Sequence, residues 1–190
     1  MSKYTSWWKV GCAVALALAA APAFADGVPL AKGDVLAAVG QGKIRHFSPT
    51  GTLLDTLDTT TGSNETTGMC FDGSGNLFAT SFSVSKMSKF DKNGNLLVAN
   101  FGSGFNSNPE SCLVAPDTSI LVGQAGGSAD VLKFSAAGAP LTSFSVPTED
   151  RGSDWIDLAA DACTLYYTSE GSKILRYNVC SSTALADFAT

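Results

Sequence analysis

Lys86-Met87-Ser88-Lys89-Phe90-Asp91-Lys92-Asn93-Gly94-Asn95-Leu96-Leu97 reads as a short strand, a tight turn and the start of a second strand, and the chain repeats it. Its aromatic residue, Phe90, recurs as Phe47, Phe134 and Tyr177, at spacings of 43, 44 and 43. Three positions earlier stand Ile44, Met87, Val131 and Ile174; directly before it stand His46, Lys89, Lys133 and Arg176. Glycine follows four positions later as Gly51, Gly94 and Gly138, with Ser181 in the fourth copy. Leu57, Phe101, Phe144 and Phe188 come ten or eleven positions after the aromatic. A period of this length made of short strands is the pattern of β-propeller blades.

Working outward, each unit reads as four antiparallel strands. The second strands are Val35–Ala38, Leu77–Thr80, Ile120–Gly123 and Leu165–Thr168, apolar runs suited to burial between blades. The third are Lys43–Phe47, Lys86–Phe90, Asp130–Phe134 and Lys173–Tyr177, and the outer strands carry Leu53-Leu54, Leu96-Leu97, Leu141 and Leu185. Inner strands are visible at Met69–Phe71, Ser111–Val114 and Trp155–Ala159. Blade one has no room for one, because only Asp26–Ala31 precedes its second strand. The expected fold is all-β: about three and three-quarter four-stranded blades, an incomplete or open propeller that is either a fragment of a longer one or a shortened one. The blades are placed at about 26–62, 63–104, 105–148 and 149–190. Phe47, Phe90, Phe134 and Tyr177 are periodic and therefore assigned to the core, and His46, in the slot of Lys89, Lys133 and Arg176, to an exposed basic position.

The turns agree. Phe71–Leu77 and Phe90–Leu96 share the string F-D-x-x-G-N-L, with Gly75 and Gly94 where a hairpin needs positive φ. A calcium loop through Asp72, Ser74 and Asn76 is set aside, because the same string serves a different pair of strands.

Residues 1–25 read as a signal peptide: Lys3 and Lys9, an apolar run from Val10 to Ala21, then Ala23-Phe24-Ala25 before Asp26. The run is too short for a stable membrane span, so the protein is expected to be exported, periplasmic or extracellular. Cleavage leaves ten basic against seventeen acidic residues, which disfavours nucleic acid as a partner. Four cysteines remain, and an exported chain favours pairing them. If Gly171-Ser172 forms a two-residue turn, Glu170 faces Lys173 and Cys163 stands across from Cys180. Cys70 and Cys112 occupy matching positions on neighbouring inner strands, which points to an inter-blade bridge. With His46 as the single histidine and no C-x-x-C, zinc spacing is missing. So are G-x-S-x-G and a phosphate-binding glycine loop.

These aromatic, turn and leucine positions, as in Lys86–Leu97 and Asp130–Leu141, resemble the NHL-repeat and SMP-30/gluconolactonase-like group of six-bladed propellers, and more loosely the virginiamycin B lyase-like ones. The lactonase-like resemblance implies one divalent cation, such as calcium, held at the channel mouth by acidic and amide side chains. Glu110, Asp154 and Asp157, with Asn64 and Glu65, stand at comparable places, but no residue-by-residue match to a ligand set exists, so the metal ligands stay unknown. The lyase-like resemblance implies a catalytic histidine, and His46 sits in a repeat position instead. Glu149–Asp157 is the densest polar stretch, and it reads either as a solvated loop or as a binding edge; Asn106–Glu110 is its counterpart one blade earlier. Glu110, Asp154, Asp157, Trp155 and Asn108 are the candidate binding residues, with no catalytic residue assigned. The expectation is a non-catalytic module that binds a small ligand or a protein through its inter-blade loops, without a cofactor. The alternative is a fragment or degenerate copy of a metal-dependent hydrolase. Unpaired blade edges give a further expectation, self-association.

Overall fold

The computed structural model describes residues 27–190, so the signal peptide expected at residues 1–25 lies outside the described residues. Blade one contains β1 (Val35–Val39), β2 (Lys43–Phe47) and β3 (Leu53–Asp58). Blade two contains β4 (Thr66–Phe71), β5 (Leu77–Ser81), β6 (Lys86–Phe90) and β7 (Leu96–Val98). Blade three contains β8 (Pro109–Val114), β9 (Ile120–Gln124), β10 (Val131–Phe134) and β11 (Pro140–Phe144). Blade four contains β12 (Ile156–Leu158), β13 (Thr164–Tyr167), β14 (Leu175–Asn178) and β15 (Thr183–Ala184). Every sheet is antiparallel with its strands in sequence order, and blade one has three strands among the described residues.

The repeated aromatic owes its position to a recurring irregularity. The ladder between third and outer strands slips at His46/Phe47, Lys89/Phe90 and Lys133/Phe134. A bulge there turns the strand and aims the aromatic into the interface with the preceding blade. Phe90, Phe134 and Tyr177 are buried accordingly. Phe47 is only half-buried, contrary to the core assignment, because no described element packs on that side of blade one.

The two F-D-x-x-G-N-L turns close alike. Asp72 Oδ1 accepts the N–H groups of Ser74 and Asn76, each at 2.9 Å, while Asn76 Nδ2 donates to Oδ2 at 2.8 Å. Asp91 does the same with Asn93 and Asn95. Gly75 and Gly94 have φ of 82° and 79°, the left-handed geometry for which glycine was needed.

Both bridges form. Cys70–Cys112 joins blades two and three with Cα atoms 5.7 Å apart, and Cys163–Cys180 closes blade four at 5.2 Å. The register expected around the second is off by one position: Leu165 pairs with Tyr177 and Tyr166 with Arg176. The loop from Thr168 to Ile174 is longer than a two-residue turn because Glu149, from the preceding connection, accepts the N–H groups of Ser172 (3.1 Å) and Lys173 (3.0 Å). Cys163 C=O therefore accepts Val179 N–H at 2.8 Å, and Cys180 follows in the next turn, still within bridging distance.

Candidate functional site

The inner strands β4, β8 and β12 all start at one end of the blades, where the loops joining second to third strands also lie. This end is the mouth, and a cavity of about 450 Å³ opens there between blades one, two and three, with Gly40, Asn64, Glu65, Phe82 and Glu110 on its wall. Hydroxyls hold these loops: Thr59 Oγ1 donates to Gly42 C=O (2.8 Å), Thr61 Oγ1 meets Ser81 Oγ (2.9 Å) and Ser63 Oγ meets Ser83 Oγ (2.9 Å). A chain this poor in charge can build a polar rim from neutral groups and leave the few carboxylates conspicuous.

Those carboxylates converge across the blades. Glu110, the second residue of β8, is half-buried. Burial raises its pKa, the neighbouring charges of Asp154 and Glu170 raise it further, Arg151 opposes them, and Glu65 adds a smaller upward push. Asp154, just ahead of β12, is 4% exposed. Burial pushes its pKa up to about 6, with Glu170 adding to the rise; the Glu170 N–H (3.1 Å to Oδ2) and Arg151 pull the other way. Its Oδ1 is buried without a partner. Arg151 is the one cation among them and pairs with Glu170.

The remaining candidates divide. Asn108 has φ of 49° and serves the scaffold: its Nδ2 donates to Phe82 C=O at 3.3 Å and Ser107 Oγ donates to its Oδ1. Trp155 and Asp157 do not join the mouth. Asp157 is the register partner of Tyr166, and strand alternation puts Trp155 and Asp157 with it on the outward face of blade four. Trp155 is 57% exposed there. Glu170 is a mouth residue that the sequence did not reveal, since the two-residue turn expected at Gly171-Ser172 placed it in the ladder.

His46 is the clearest correction. It is fully buried, not exposed, and its Nε2 donates to Asp34 Oδ2 at 2.7 Å. Asp34 directly precedes β1, so the pair lies at the end of the blade opposite the mouth. Among the described residues no group of three or more His, Cys, Asp or Glu side chains is arranged to hold a metal ion. Of the two Asp154 carboxylate oxygens, one accepts the Glu170 N–H and the other has no partner. No helix among the described residues is long and apolar enough to cross a membrane.

No family model matches the chain, and no curated protein does. Solved structures do. A streptogramin B lyase superposes with a TM-score of 0.66 at 16% identity, covering 86% of this chain and 53% of its own. The selenomethionine-substituted virginiamycin B lyase from Staphylococcus aureus gives 0.68 at 15% identity, covering 86% and 54%. At such identities the likeness establishes the β-propeller fold and nothing more. The chain spans about half the length of these relatives.

Proposed function

We propose that this β-propeller is an exported, non-catalytic binding module whose mouth receives a positively charged segment of a ligand or protein. The observation that carries the reading is the mouth itself: Glu110 and Asp154 are both desolvated carboxyls with raised pKa, with Glu65 and Glu170 nearby and only Arg151 to offset them. Ionised carboxyls held in a low-dielectric rim gain most from an incoming cation, which relieves their mutual repulsion. The two disulfides fit the exported compartment. The non-catalytic part rests on placement: the sole histidine is buried at the opposite end against Asp34. The lyase activity named for the two solved structures is therefore not carried over.

Titration calorimetry with a lysine-rich peptide tests this reading. Saturable binding that weakens as salt rises and is lost in Glu110→Gln is the expected result. Thermal stabilisation by calcium or zinc, with no peptide binding, would favour the metal-dependent hydrolase instead.

A further inference from the structure

We propose that the outward face of blade four binds the outward face of blade one of a second copy of this chain, so that two copies close a single ring. The chain builds the same interface three times within itself. On the side facing the next blade, blade two presents Phe78, Met87, Lys89 and Phe101, with the Phe78 and Phe101 rings edge-to-face at 4.9 Å. Blade three covers them with Ile120, Val122 and Phe134. Blade one presents Leu36, Ile44 and Leu57 under Leu77, Ala79 and Phe90. Blade three in turn presents Leu121, Val131 and Phe144 under Leu165, Tyr167 and Tyr177.

Blade four repeats the presenting half. Tyr166, Ile174, Arg176 and Phe188 stand at the repeat positions of Phe78, Met87, Lys89 and Phe101. The Tyr166 and Phe188 rings meet edge-to-face at 5.2 Å, as Phe78 and Phe101 do. No described element covers them: Phe188 is 60% exposed where Phe101 is 3%, and Ile174 is 38% exposed where Met87 is fully buried. Blade one repeats the covering half. Val35, Ala37 and Phe47 stand where Leu77, Ala79 and Phe90 stand in blade two, and Val35 is 54% exposed where Leu77 is fully buried. The two open faces are thus the two halves of the chain's own internal interface, and the proposed contact continues it.

The match of halves sets the pairing. The blade-four face carries Arg176 as well as Asp157, both register partners of Tyr166, and the blade-one face carries Arg45 as that of Ala37. Joining four to one rebuilds the presenting-and-covering pair that the chain uses internally, whereas four to four or one to one sets two like halves together. A head-to-tail contact between identical copies forms a ring only if the rotation closes and otherwise a fibre. Each copy spans about half the length of the propellers it superposes on, so two supply one turn.

The test is sedimentation of the exported, oxidised chain together with Phe188→Arg and Val35→Arg, both exposed positions. Wild type is expected at twice the chain mass. Each variant should keep its melting curve yet raise the dimer dissociation constant about tenfold or more. An equimolar mixture of the two variants retains one intact contact and should regain a heterodimer. A wild type that stays monomeric, a dimer untouched by both substitutions, a mixture that stays monomeric, or an open-ended series of larger species would each overturn the proposal.

Discussion

His46 and Asp34 form in blade one the contact that Lys89 and Asp72 form in blade two and Lys133 and Asp117 in blade three. The donor–acceptor distances are 2.7, 3.7 and 2.9 Å. In each case the residue before the repeated aromatic reaches the carboxylate that precedes the second strand and ties third strand to hairpin. Blade four departs from the rule: Asp161 turns to the Cys163 and Thr164 N–H groups, and Arg176 Nε donates to Ala186 C=O.

The pair is structural and its worth should be ordered accordingly. His46→Ala leaves Asp34 without its partner and should lower the thermal midpoint clearly. His46→Lys restores the residue found in blades two and three and should recover part of the loss. The Asp34 pKa is lowered chiefly by the His46 hydrogen bond. A carboxylate lowered in the fold stabilises above its unfolded pKa and loses that contribution as pH falls through the folded one. The His46→Ala deficit should therefore be full at neutral pH and shrink in acid; acid melts that show a constant deficit would contradict this.

Asp154 has the opposite sign. Its folded pKa is about 6 against an ordinary 3.8, so the folded protein takes up a proton that the unfolded chain does not between those values. Stability contributed by this group falls as pH rises through that window. Asp154→Asn should be more stable than wild type at pH 7, by about 1 kcal/mol after allowance for solvent screening, and equal to it below about pH 4. Denaturant melts at both pH values check the crossover.

Gly68 marks how closely the inner strands approach. A Cβ there would lie 2.4 Å from the Glu110 backbone oxygen and 2.5 Å from Ser111 Cα, so β4 or β8 would have to shift. Gly68→Ala should cost about 1–3 kcal/mol by overpacking and displace Glu110 at the mouth. Urea melts and weakened peptide binding are the two readouts.

Removing Cys163–Cys180, with a sequence separation of 17, should cost on the order of 3 kcal/mol. Removing Cys70–Cys112, with a separation of 42, should cost about 4 kcal/mol. Paired serine substitutions measured by denaturant unfolding give the comparison, and an inverted order would argue against a chain-entropy origin.

Much of this fold could be read because its determinants are local. The Asp72 and Asp91 turns and the strands around them follow from short-range spacing. What escaped the sequence depends on contacts from afar. Glu149, more than twenty residues upstream, holds open the loop before β14, and with it shifts the register and moves Glu170 to the mouth. His46 is buried because Asp34 reaches it from across a hairpin. Position in the chain makes Trp155 and Asp157 candidate binding residues, but alternation along β12 turns them to the outward face of blade four.

The acidic mouth is the centre of this account, and hydrogen–deuterium exchange with a bound lysine-rich peptide tests it most directly. Protection gathered at Asn64–Thr66, Asn108–Ser111 and Ser153–Asp154, and abolished by Glu110→Gln, is the predicted result. Protection confined to Tyr166, Arg176 and Phe188 on the outward face of blade four, or undiminished in Glu110→Gln, would contradict it.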